Sequence, residues 1–82
     1  GVKPLGLYSD MYFKVGDTFE MVADKPVNKW EYDETFFEEI ELSTSDTLRG
    51  VLAKSGALTI KATDTQNQSA EKSIVIKERV KK

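Results

Sequence analysis

The chain has 82 residues and a net charge of −2, with neither cysteine nor histidine. That length makes one domain with a small core. The missing residue types exclude disulfide staples, thiol chemistry, imidazole metal ligands and the usual neutral-pH general base.

Residues 1–46 carry eleven acids against four bases, and residues 47–82 carry three acids against eight bases. No apolar run approaches the roughly 20 residues of a membrane span, so membrane insertion is not expected. Gly1 opens on a polar segment without a signal-peptide pattern, which reads as a domain cut from a longer protein.

Taken in order, residues 1–4 read as a linker ending at Pro4, and residues 5–77 as the folded domain. Leu5, Leu7 and Tyr8 predict a short edge strand, interrupted by Ser9-Asp10. If that edge were open to a neighbouring chain, Pro4 and the break would guard it; the isolated domain is expected to be monomeric. Tyr12-Phe13-Lys14-Val15 resumes an extended run with Phe13 and Val15 inward. Gly16-Asp17 is a turn signal, and residues 18–23 alternate with Phe19, Met21 and Ala23 inward. Residues 24–28 read as a loop. Lys29-Trp30-Glu31-Tyr32-Asp33 alternates charge and ring, predicting a strand with both rings inward and Trp30 as a core anchor.

Thr35-Phe36-Phe37-Glu38 has capping-box spacing, which predicts a helical turn over 34–38, followed by a strand over 39–43. Residues 48–53 predict a strand weakened by Gly50. Gly56 to Asp64 is the plainest strand of all: Leu58, Ile60 and Ala62 fall at every second position between turn signals. Residues 66–69 form a polar hairpin loop, and 70–77 close the fold with Ile74 and Ile76 inward. Residues 78–82 read as a charged tail or linker. About seven short strands with turn signals every 8–12 residues predict an all-β antiparallel sandwich.

The set Val15-Gly16-Asp17-Thr18, Trp30, Arg49-Gly50-Val51-Leu52-Ala53-Lys54-Ser55-Gly56, Leu58-Thr59-Ile60-Lys61-Ala62-Thr63 and Ser73-Ile74-Val75-Ile76 resembles, in order, the bacterial immunoglobulin-like domains of group 2. The resemblance covers residues 5–77. It departs from the family at 31–46, where Tyr32, Phe36 and Phe37 stand among seven acids. It implies an immunoglobulin-like sandwich without catalytic residues or cofactor. The implied role is a spacer or adhesion module of a bacterial surface protein or of a phage virion. The implied location is extracellular, and the implied partners are protein neighbours or cell-surface glycans.

Three constellations stand out. Glu31, Asp33, Glu34, Glu38, Glu39, Glu41 and Asp46 read first as a solvated acidic face, with a calcium site or a partner patch as alternatives. Tyr8, Tyr12, Trp30, Tyr32, Phe36 and Phe37 would make a platform for sugar rings or a partner if several were exposed. Adjacent strand residues cannot both face one core, so one of Phe36 and Phe37 is expected at the surface or over an open sandwich end. Phe36, Phe37, Glu38 and Glu39 are therefore the candidate contact residues. Among other function classes, a carbohydrate-binding appendage of an extracellular enzyme is the alternative. A nucleic-acid binder is not expected, since basic stripes are missing. The glycines are isolated, a serine triad needs histidine, and a domain this small offers no deep cleft for catalysis.

Overall fold

The structure is a computed structural model and describes residues 3–80. Eight strands and one 3-10 turn follow one another: β1 (Leu7–Ser9), β2 (Phe13–Lys14), β3 (Thr18–Ala23), β4 (Val27–Glu31), η1 (Glu34–Phe36), β5 (Phe37–Ser43), β6 (Thr47–Leu52), β7 (Gly56–Asp64) and β8 (Ser69–Lys77). They form two four-stranded sheets, one ordered β1-β3-β6-β5 and the other β2-β8-β7-β4. This is the two-layer arrangement of an immunoglobulin-like sandwich. All pairings are antiparallel except the short β2–β8 pair, which is parallel.

Alternation dictates the layers. Phe19, Met21 and Ala23 of β3 face Leu58, Ile60 and Ala62 of β7 across the interior, with Leu48 and Leu52 of β6 and Ile74 and Ile76 of β8. Each large side chain buried in this way contributes about 1.5–3 kcal/mol. Phe19 also holds Phe13 and Phe37 at ring-centroid distances of 5.1 and 5.9 Å.

The middle of the chain corrects four expectations. β4 starts at Val27, which is buried, so the predicted loop is two residues shorter; it ends at Glu31, leaving Tyr32 and Asp33 outside it. Trp30 is half-buried at the sheet edge and not a central anchor; its indole N–H donates to the Thr44 carbonyl at 2.8 Å, tying β4 to the β5–β6 turn of the other sheet. The helical turn is capped by Asp33 and not by Thr35. The Asp33 carboxylate accepts from the Thr35 amide at 2.9 Å and from its hydroxyl at 2.7 Å, which shifts the turn to 34–36. β5 consequently starts at Phe37, and two bulges bend it along β6.

Gly50 is a requirement of this packing and not a weakness. A Cβ there would lie 2.7 Å from the Glu39 carbonyl oxygen and 2.8 Å from the Phe37 ring. The molecule measures 53 × 19 × 16 Å. The predicted linker is described only at Lys3 and Pro4, and the predicted tail only at Glu78–Val80; the remaining residues of both lie outside the described residues.

Candidate functional site

Both Phe36 and Phe37 are buried, at 7% and 9% exposure, so neither ring is presented to solvent. The rule that adjacent residues face opposite ways holds within a strand, but Phe36 closes the 3-10 turn and Phe37 opens β5. The backbone changes direction between them, and both rings turn inward. Phe36 packs beneath Gly56, with the Lys54 ammonium 4.7 Å from its ring centre. Phe37 meets Tyr32 edge-on at 5.3 Å. Of the four candidate contact residues, only Glu38 and Glu39 are exposed.

The acidic run does not make one face. Glu31 sits on the second sheet beside Lys29 at 3.0 Å and Lys61 at 3.9 Å. Lys29, first by its hydrogen bond and then by its charge, holds the Glu31 carboxyl below its ordinary value. Asp33 caps η1, and the Thr35 hydroxyl and amide lower its carboxyl likewise. Asp46 accepts from Thr44 and Thr47 in the turn at the opposite end. Only Glu38, Glu39 and Glu41 share an element. Among the described residues no three acidic side chains converge where one metal ion could bind.

The two ends of the sandwich hold the arrangements that matter most. At one end Asp64 is the one polar residue buried among the described residues, at 1% exposure. Its Oδ1 accepts from the amides of Gln66 and Gln68 at 2.8 and 2.9 Å. Its Oδ2 faces the Lys25 ammonium at 2.9 Å. Burial pushes the Asp64 carboxyl up, but Lys25 and the two amides together outweigh it and leave the group below the ordinary range. Lys25 also donates to the side-chain carbonyls of Gln66 and Gln68, both at 3.0 Å, and to the Lys3 carbonyl at 2.6 Å. One ammonium thus joins the β3–β4 loop, the β7–β8 turn and the incoming N-terminal segment. Alongside it, the Gly6 amide donates to Asp24 at 2.8 Å and lowers that carboxyl.

At the other end Arg79 donates from Nε to the Val15 carbonyl at 2.9 Å and pairs with Asp17. Asp17 also accepts from the Lys14 amide at 2.9 Å. Arg79, within the stretch read as a charged tail or linker, is thus fastened to the folded body.

Close by, a groove of about 460 Å³ runs along the outer face of the β2–β8 edge, between Tyr12, Lys14, Val75, Lys77 and the Asp17–Arg79 pair. Tyr12 is 87% exposed there. Of the six rings considered as a platform, the two that are exposed are Tyr8 and Tyr12. Sequence reading placed Asp64 at the end of the strand, where the turn signals begin, and did not single it out. The parity of Leu58, Ile60 and Ala62 extends to position 64 and carried the signal.

Comparison with family models, curated proteins and solved structures returned no match.

Proposed function

We propose that this chain is a non-catalytic structural and interaction module, a spacer or adhesion domain of the bacterial immunoglobulin-like type in a larger bacterial surface or phage virion protein. The observation that carries the reading is mechanical. Lys3 is held at one end of the sandwich by Lys25, and Arg79 is held at the other by Val15 and Asp17, in a molecule 53 Å long. The described chain enters at one end and leaves at the other, and both segments are fastened to the body. A domain joined in this way sets a fixed distance and direction between whatever it connects. Catalysis has little support in the absence of histidine and cysteine. The carbohydrate-appendage alternative loses Phe36 and Phe37 as its platform, since both are buried.

The test is single-molecule extension of the 82-residue domain placed between two reference domains. A spacer unfolds in one discrete step with a contour gain of roughly 200–250 Å, as about 3.5 Å per residue over the described chain less its folded length requires. Gradual lengthening without a discrete step removes the reading.

A further inference from the structure

We infer that the Tyr12–Lys14–Val75–Lys77 groove is a binding site for an acidic saccharide, a sugar carrying carboxylate or sulfate groups. Strand parity puts Lys14, Val75 and Lys77 on one outer face, and Tyr12 lines the same groove. Phe13 pairs with Ile76 and Lys14 with Lys77 in register, so the two lysines lie side by side. Neighbouring strands are about 4.8 Å apart, which places the two ammonium-bearing chains within reach of one anionic group. Like charges directly opposite one another are unfavourable in a sheet, and a bound anion relieves that repulsion.

Among the described residues no carboxylate does so. Asp17, the acid in the groove, is committed to Arg79 and to the Lys14 amide. Glu78 borders a different groove, beside Lys54. Among the described residues neither Lys14 nor Lys77 has an acidic partner within 4.0 Å.

The remaining chemistry selects a sugar over an acidic peptide. An extended peptide binds by adding to a strand edge, which needs a ladder of backbone groups. β2 offers two residues only and covers the β8 edge at Ile76 and Lys77, so recognition at the lysine pair falls to side chains. An exposed phenol ring beside an aliphatic floor suits the flat C–H face of a pyranose, and its hydroxyl and the two lysines suit the ring substituents. The volume is that of a small-ligand site. The site does not depend on the spacer reading, because its loss leaves the force response of the domain unchanged.

Calorimetric titration of the 82-residue domain with oligogalacturonate tests it, against neutral dextran oligomers, poly-glutamate and oligo-dT. Expected is saturable binding of oligogalacturonate alone, weakened by raising salt. The double variant Lys14→Glu/Lys77→Glu should bind at least about tenfold more weakly and Tyr12→Ala several-fold more weakly. Lys29→Glu, at the far end of the same sheet, should bind as wild type. Amide shifts in wild type should centre on Tyr12, Lys14, Val75 and Lys77. Absence of binding, shifts centred elsewhere, or equal loss in Lys29→Glu overturns the assignment. So does equal or tighter binding of poly-glutamate or oligo-dT.

Discussion

Each end of this sandwich fastens a terminal segment with one basic side chain and one aspartate, yet the two pairs live in different solvents. At the N-terminal end the side chains of Lys25 and Asp64 are 14% and 0% exposed. At the C-terminal end those of Arg79 and Asp17 are 56% and 36% exposed. The same chemistry therefore carries different weight. Water screens the exposed pair and competes for its hydrogen bonds, so it contributes little. The buried pair had to be dehydrated first, and it is tolerable only because nearly every donor and acceptor in it is matched. What the contrast teaches is that a buried ion pair matters mainly through what its removal leaves behind.

The sharpest break is therefore Asp64→Ala. It removes the carboxylate that faces the nearly buried Lys25 ammonium and that accepts from the part-buried amides of Gln66 and Gln68. A buried pair that loses one partner costs far more than a surface pair, and a drop of about 10 °C or more in the thermal midpoint is expected for a domain of this size. Adding Lys25→Met to the same chain should recover part of the loss, since it removes the stranded charge. If the double variant is no better than the sum of the two singles, the coupling argued here is absent.

Acid titration sharpens the same comparison. The Asp64 carboxyl sits below the ordinary value of about 3.9 in the folded chain, although burial alone would raise it. The Asp24 carboxyl is lowered too, chiefly by the Gly6 amide. A depressed folded value means that the group's stabilisation is fully present above its unfolded value and fades as pH falls through the folded one. Urea unfolding should thus give stability that is flat from neutrality down to about pH 5 and falls steeply below about pH 4. Asp64→Asn should start lower at neutrality and show a shallower fall in acid. Parallel curves for the two proteins would mean that Asp64 does not contribute to the acid limb.

How much of this was legible beforehand depends on how local each signal is. The strand over 56–64 and the strand over 18–23 carry their own alternation, and both stand as the residue pattern implies. Residues 33–37 do not, because two caps compete for one turn. Asp33 wins, since its carboxylate reaches the amide and the hydroxyl of Thr35 together. That choice decides whether Phe36 and Phe37 share a strand, and hence whether both can be buried. The parallel β2–β8 pair and the Lys25–Asp64 clamp join residues 39 to 63 positions apart. No window of sequence contains such a pair, although parity alone placed Asp64 inward. The Tyr12 groove was half legible: the ring was visible as a candidate, but its neighbours on β8 come from the other end of the chain.

The smallest effect belongs to Arg79→Ala, and it is informative because it should be small. Asp17 loses its ion-pair partner and the Val15 carbonyl loses a donor, both near solvent that can take the guanidinium's place. A loss of no more than about 1 kcal/mol is expected, and it should shrink further in high salt. The fastening at that end then relies on the Val15 amide, which donates to the Lys77 carbonyl at 3.0 Å, and on the short β2–β8 pair. Hydrogen exchange separates the two roles: Arg79→Ala should speed exchange at the amides of Val15 and Gly16 while leaving those of β7 at wild-type rates. If β7 loosens as well, the C-terminal pair is coupled to the core as tightly as the buried one, and the distinction between the two ends disappears.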